Sequence, residues 1–255
     1  MFLIISPAKK LASQTAFTGE TSAIAFKKKT AELVGLLKNK SKKDLAQMMS
    51  ISPALAALNH ERYQSFDPSR YRAANASPAV LLFQGDVYKY LKADTFTPKE
   101  LQYAQEHLGI LSGLYGLLSP LDQIQPYRLE MGTTLANSAG DTLYDFWKDT
   151  VTAALNQQLA HTKSRYLINL ASKEYFSVID PNAIDADILT IAFKEWKNGQ
   201  LKTLGMNAKR ARGAMAQFLI KNQYKTKKGI QHFTDLGYLY CAQESSANEL
   251  VFIRD

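Results

Sequence analysis

Short, almost wholly apolar runs, each broken off by a small or polar residue, constrain this chain more than any other feature. They are Phe2-Leu3-Ile4-Ile5, Ala79-Val80-Leu81-Leu82-Phe83, Gly109-Ile110-Leu111, Tyr166-Leu167-Ile168-Asn169-Leu170 and Ile188-Leu189-Thr190-Ile191-Ala192-Phe193. Runs of this length are too short for ordinary helices. With no polar alternation, they read as strands buried on both faces, the signature of a parallel sheet. Amphipathic segments alternate with them. Ile24–Lys38 places Phe26, Thr30, Leu33, Val34 and Leu37 on one face. Pro98–His107, Leu143–Leu159 and Asn207–Asn222 also read as helices. Late in the chain, Asn198-Gly199 predicts a tight hairpin turn returning through Leu201–Leu204, and Leu236–Cys241 with Glu249–Ile253 predict a terminal hairpin. The expectation is an α/β fold: one domain over 1–255, a mixed sheet with a mostly parallel start, flanking helices and a C-terminal β-hairpin.

One stretch punctuates this pattern, Leu111-Ser112-Gly113-Leu114-Tyr115-Gly116-Leu117-Leu118-Ser119-Pro120-Leu121-Asp122, continuing through Pro126-Tyr127-Arg128-Leu129-Glu130-Met131-Gly132. Glycines admit close backbone approach, and prolines stiffen the residues around them. A long, stiff, ordered loop is expected here, carrying Tyr115, Asp122, Tyr127, Arg128 and Glu130. Such loops either brace their neighbours or carry function.

Charge and cysteine content narrow the function classes. The 255 residues are 46% hydrophobic, enough for a sizeable core, and carry a formal net charge of +8. The isoelectric point near 9.3 favours polyanionic partners or plain Lys-rich solubility. No stretch reaches the roughly 18 apolar residues of a membrane span. The opening residues lack the basic lead of a signal peptide. A single cysteine, Cys241, precludes an internal disulfide and suits a reducing cytoplasm. His60, His107, His161 and His232 are scattered without ligand spacing, so no metal and no cofactor is expected.

Residues 41–66 read as two short helices joined by a tight turn. Ser41 caps the first, with Asp44 completing a capping box. Ser52 followed by Pro53 starts the second. The segment resembles a helix-hairpin-helix DNA-binding element, with Leu45 and Met48 as the apolar pair, Ser50-Ile51-Ser52 as the hairpin and Ala56 as the small residue. Serines stand where that motif has glycines. The alternative is an ordinary αα-hairpin. In the DNA-binding reading, amides near Ser50 and Ser52 face a phosphate, with Lys38, Lys40, Lys42 and Lys43 just upstream.

Most strand candidates end in polar loops. Ser6 and Lys9 follow the first, and Gly85, Asp86 and Tyr88 the second. Ser112, Gly113, Tyr115 and Gly116 follow the third, and Asn169, Ser172, Lys173 and Glu174 the fourth. Parallel strands would bring these loops into one crevice. Lys9, Arg128, Lys173 and the Lys209/Arg210/Arg212 helix would make it positive, and Asp86, Asp122, Glu130 and Glu174 would supply carboxylates. The chain has no Walker lysine loop, no G-x-G-x-x-G and no G-x-S-x-G. Cys241 lies in an apolar strand and reads as packing.

Taken together, Ser6-Pro7-Ala8-Lys9, Gly85-Asp86-Val87-Tyr88, Leu111–Gly116, Pro120-Leu121-Asp122, Pro126–Gly132, Ile168–Ser172 with Glu174-Tyr175, and Ala208-Lys209 with Ala211-Arg212-Gly213 resemble the YaaA family of bacterial peroxide-stress proteins. The resemblance spans nearly the whole chain. It implies one α/β domain of unusual topology with a positively charged cleft and a helix-hairpin-helix element. It also implies cytosolic location, tolerance of hydrogen peroxide, lowered free iron and DNA binding. The leading expectation is therefore a protein that binds duplex or structured DNA through Lys9, Ser50, Ser52, Arg128, Lys173, Lys209, Arg210 and Arg212. One rival is an enzyme acting on a nucleotide or nucleic-acid base in the same cleft, with a carboxylate as general acid or base. Another is a non-enzymatic interaction protein of the stress response.

Overall fold

The computed structural model describes residues 1–13, 17–69, 71 and 75–254. Its centre is an eight-stranded sheet. In spatial order the strands are Leu239–Cys241, Glu249–Arg254, Asp187–Lys197, Tyr166–Leu170, Phe2–Ile5, Leu108–Ser112 and Gly116–Leu118, with Gln200–Lys202 folded back on Asp187–Lys197. Five strands run parallel, Phe2–Ile5 pairing with Tyr166–Leu170 on one side and Leu108–Ser112 on the other. The three outer pairings are antiparallel. The mixed α/β expectation therefore holds. Every residue of Phe2–Ile5 is buried, as its central place requires.

The amphipathic segments are helices: Lys27–Lys38, Pro98–His107, Leu143–His161 and Gly205–Asn222. Capping boxes open Lys42–Met48, Pro98–His107 and Leu143–His161, where Ser41, Thr97 and Thr142 satisfy the free amides of the first turn. Among the described residues no helix is long and apolar enough to cross a membrane.

Two local expectations are corrected. Ala79–Phe83 is not a strand: Ala79–Leu82 form one helical turn and Phe83–Gln84 a short bridge to Lys10–Leu11. Ala79 and Val80 donate their N–H groups to the carbonyls of Asp122 and Pro120 rather than to a sheet. An all-buried apolar run satisfies either geometry. The stretch after Leu111 is not loop throughout. Ser112 and Gly116 pair across a tight hairpin, and Gly116 adopts φ +74° there. The long ordered loop begins only after Leu118.

Candidate functional site

The parallel strands share a carboxyl edge, and Ser6, Ser112 and Ser172 all stand on it. Two of these serines stitch neighbouring strand ends together. Ser6 Oγ accepts the Ser172 N–H at 2.8 Å and donates to Ser172 Oγ at 3.3 Å. The Tyr88 hydroxyl donates to the Ser6 carbonyl at 3.1 Å. Gly85 packs directly on Ala8, where an added Cβ would sit 3.1 Å from the alanine methyl. Asn169 turns back on its own strand end, accepting from Ala171 N–H at 3.0 Å and donating to Thr190 at 3.3 Å. The segment Gly85–Tyr88 thus meets this edge, although it follows the two-residue strand Phe83–Gln84 outside the central sheet.

The segment Pro126–Gly132 lies across the same edge and is pinned along its length. Ser112 Oγ shares a 2.6 Å hydrogen bond with the Tyr127 hydroxyl and accepts the Tyr115 N–H at 3.0 Å. The Tyr115 hydroxyl both donates to Gln125 O at 2.9 Å and accepts from Gln125 N–H at 3.0 Å. Tyr63, from the helix Pro53–Ser65, donates to the Arg128 carbonyl. Gly113 is so close to the Leu129 carbonyl that no side chain fits. Downstream, Gly132 N–H donates to Glu174 Oε1 at 3.1 Å, and Tyr144 holds the Glu174 carbonyl at 2.9 Å. Burial pushes the Tyr63, Tyr115 and Tyr127 phenols up, against the hydrogen bonds they make, so all three stay protonated.

This scaffold fixes two charged side chains. Glu130 Oε1 accepts from Arg128 at 2.8 Å and from Lys9 at 3.0 Å. Glu130 and Arg128 are nearly buried, whereas the Lys9 side chain is 64% exposed. Glu130 Oε2 and Arg128 Nε are buried, and neither has a hydrogen-bond partner. Burying an acceptor and a donor unmatched is costly unless a ligand or solvent meets them. Both belong to a small pocket of about 10 Å³ lined by Pro7, Lys9, Tyr127, Arg128, Glu130 and Tyr175. Larger depressions exist, one of about 750 Å³ beside Phe96 and Leu101, but it holds no comparable cluster of charge.

The remaining expected residues distribute unevenly. Lys173 is exposed beside Glu174. Arg210 pairs with Asp86 at 3.6 Å, and Gly213 lets the helix Gly205–Asn222 press against the backbone of Val87, one residue before Tyr88. Arg212 is partly buried, with an unpartnered Nε and a guanidinium whose proton affinity is lowered by burial. Lys209 is exposed. Gly116 lies under Trp147 and Phe26 rather than in the cleft. Asp122 is also elsewhere. It binds the Ser22 hydroxyl at 2.7 Å and the Ser119 amide at 2.8 Å, and burial drives its carboxyl up to about 6.

Ser50 and Ser52 sit apart from the edge. Ser52 caps its helix by accepting the Leu55 N–H at 3.4 Å, and Ser50 holds φ +51°, a conformation that glycine adopts more easily. Tyr63, which reaches the edge, lies about 16 Å beyond Ser52 along that helix at 1.5 Å per residue. Sequence reasoning missed Tyr63. Its signal was weak: a lone buried tyrosine at the far end of the αα-hairpin.

Among the described residues no group of histidine, cysteine and carboxylate side chains could hold a metal ion. The family model described as "Peroxide stress protein YaaA" matches residues 1–244. A protein of Legionella pneumophila strain Corby named "UPF0246 protein" is 49% identical over 255 residues, covering 100% of this chain and 99% of the relative. A relative from L. pneumophila strain Philadelphia 1 is 48% identical and one from Bordetella petrii 46%, each over the same share of both chains. With that coverage, the pinned Pro126–Gly132 segment and the serine-stitched strand ends are features of a chain that belongs to the peroxide stress protein YaaA family.

Proposed function

We propose that this protein binds DNA without sequence preference as its part in the peroxide stress response, limiting free iron and oxidative damage to DNA from within the cytoplasm. The observation that carries the reading is the gathering of Lys9 and Arg128 at one strand edge, with Lys173 exposed close by. The pocket between them is small, about 10 Å³, and the exposed Lys9 and Lys173 beside it suit an extended polyanion lying across the edge. Phosphate contacts of this kind release counterions, so affinity falls steeply with salt, by about 0.9 log units per log unit of salt for each phosphate neutralised. Duplex binding measured at two salt concentrations tests it. The triple variant Lys9→Ala, Lys173→Ala, Lys209→Ala is expected to weaken binding to all sequences alike and to flatten the salt slope. Absence of binding at low salt, or a flat salt response in the native protein, overturns the reading.

A second reading has its own support. The unpartnered Glu130 Oε2 beside Arg128 Nε offers an acceptor and a donor together, the pairing that a nucleobase edge or a nucleotide would meet. In that case Glu130 is the general acid or base of an enzyme. Turnover of a nucleotide or of a base in DNA, abolished in Glu130→Gln, would favour it over simple binding.

A further inference from the structure

The longest stretch of this chain without an acidic residue is also rich in basic ones. Of the 31 Lys and Arg residues, nine fall in residues 196–234, and of the 23 Asp and Glu residues none does. A second basic stretch, residues 1–43, holds nine Lys against two Glu. The acid-free segment begins at the tip of a β-hairpin, and the geometry of that hairpin is specific. The register pairs Asn169 with Thr190, so Leu170, at the sheet's carboxyl edge, lies beside Ile191. The strand Asp187–Lys197 continues for six residues past that point. At 3.3 Å per residue it rises about 20 Å above the edge on which Lys9 and Arg128 stand. Glu249–Arg254 accompanies it up to Glu195, after which only Gln200–Lys202 pairs with it, through Asn198 and Gly199 at φ +53° and +71°.

The base of this arm is rigid. Glu195 is held by Tyr238 at 2.5 Å, Arg254 at 2.9 Å and Asn207 at 3.1 Å, so its charge is fully engaged. The tip differs. Trp196 is 53% exposed, whereas Trp147, the other tryptophan, is fully buried. Lys197 and Lys202 are exposed, and no described carboxylate pairs with either. Trp196 stands across the ladder from Leu201, and about half of its indole is left open to what approaches the hairpin.

We infer that this arm, Asp187–Lys202, contacts single-stranded nucleic acid: the Trp196 indole stacks on an unpaired base while Lys197 and Lys202 take the flanking phosphates. The inference rests on the nucleic-acid reading given above and adds what form of nucleic acid the protein takes. Complementarity of charge favours this occupant. Stacking needs a free base face, which single strands offer and duplexes hide. The turn itself is Asn198-Gly199-Gln200, polar throughout, which suits a groove or a strand better than a bilayer interior. The arm rises from the same edge as Lys9 and Arg128, so a strand stacked on Trp196 can run down onto them.

The test uses the full chain, an oligonucleotide of about 20 nucleotides, longer than a typical single-strand site, and a duplex of the same sequence. Trp196 emission is expected to quench on the single strand. Trp196→Ala is expected to weaken single-strand binding about ten-fold, the usual loss for one stacking partner, with much less effect on the duplex. Trp196→Phe, which keeps a ring, is expected to restore most of that loss. Equal weakening of both forms, or none, overturns the arm while leaving duplex binding intact as a separate result. If the native protein binds neither nucleic acid, the broader DNA reading falls and the arm with it. A response of Trp196 emission to vesicles of anionic phosphatidylglycerol but not to the oligonucleotide also overturns it.

Discussion

Glu130 and Glu195 are two nearly buried glutamates, with side-chain exposures of 12% and 11%, each beside an arginine. Their surroundings are opposite in kind. Both oxygens of Glu195 are used, one by Tyr238 and the other by Arg254 and Asn207. Glu130 places both its cations, Arg128 and Lys9, on a single oxygen and leaves the second one bare inside a pocket. A carboxylate satisfied on every side serves the fold. One held rigidly with an oxygen that no protein group meets is open to solvent or a ligand. The contrast separates the fully satisfied glutamate beside Arg254 from the one on the proposed binding edge, at Ser6 and Arg128.

The same substitution at both positions breaks or confirms this contrast most directly. Glu195→Gln puts an amide N–H₂ against donors that need an acceptor, and removes the charge that Arg254 faces. It is expected to cost about 3 kcal/mol of unfolding free energy. Urea unfolding measures it. A loss below about 1 kcal/mol would place Glu195 among ordinary surface pairs and remove the structural half of the comparison.

Asp122 sharpens the comparison as a third buried carboxylate, one with hydrogen bonds but no cation in contact. Its folded pKa, about 6, lies above the unfolded value near 3.9. The folded state therefore holds the proton more tightly. Stability is unpenalised below about pH 4, falls as the pH rises from 4 to 6, and stays lower above that, by an amount on the order of 3 kcal/mol. Asp122→Asn removes the titration. The difference in unfolding free energy between native and variant proteins, followed from pH 4 to pH 8, is expected to trace that fall. A pH-independent difference would mean the carboxyl is better solvated than its burial implies.

Gly113 tests the scaffold under Glu130. A methyl there meets the Leu129 carbonyl, midway between Arg128 and Glu130. Gly113→Ala is expected to cost about 1–3 kcal/mol from overpacking and to weaken DNA binding beyond what its stability loss explains, because the displaced carbonyl carries both charged neighbours with it. Binding measured well below the variant's melting temperature separates the two effects.

How much of this was legible beforehand differs between fold and site. The parallel start of the sheet was legible because Phe2–Ile5 and Tyr166–Leu170 are apolar almost throughout, and only strands buried on both faces need that. The caps at Ser41 and Ser52 were legible because their chemistry is local. Ala79–Phe83 was misread because an all-buried run has no period to reveal its geometry; the hydrogen bonds that decide it come from Asp122 and Pro120, some forty residues away. At the site, residue types and strand ends pointed to Lys9, Arg128 and Glu130. The bare Oε2, the hold of Tyr63 on the Arg128 carbonyl and the displacement of Asp122 from the cleft depend on contacts across 65 to 121 residues of sequence, which no local pattern encodes. Ser50 lies between these cases: its left-handed backbone matches the glycine place in the hairpin motif, while the side chain it carries does not.

The smallest expected change in stability carries the most functional information. Glu130→Gln keeps Oε1 for Arg128 and Lys9 and puts its N–H₂ where Oε2 has no protein partner, so it removes the charge facing the nearly buried Arg128 but no hydrogen bond, and is expected to lower the unfolding free energy by about 1–2 kcal/mol, less than Glu195→Gln. Its effect on binding has a definite sign. The carboxylate neutralises part of the charge of Lys9 and Arg128, and removing it frees that charge for phosphate. Duplex affinity at low salt is then expected to rise by about two- to five-fold, the worth of one partly exposed ion pair, with a steeper salt slope. A protein whose glutamate does chemistry or reads a base edge responds the other way: ligand affinity or turnover falls. Since the stability change is the same in both cases, the direction of the binding change alone decides whether the second oxygen of Glu130 tempers a phosphate-binding edge or acts on what lies there.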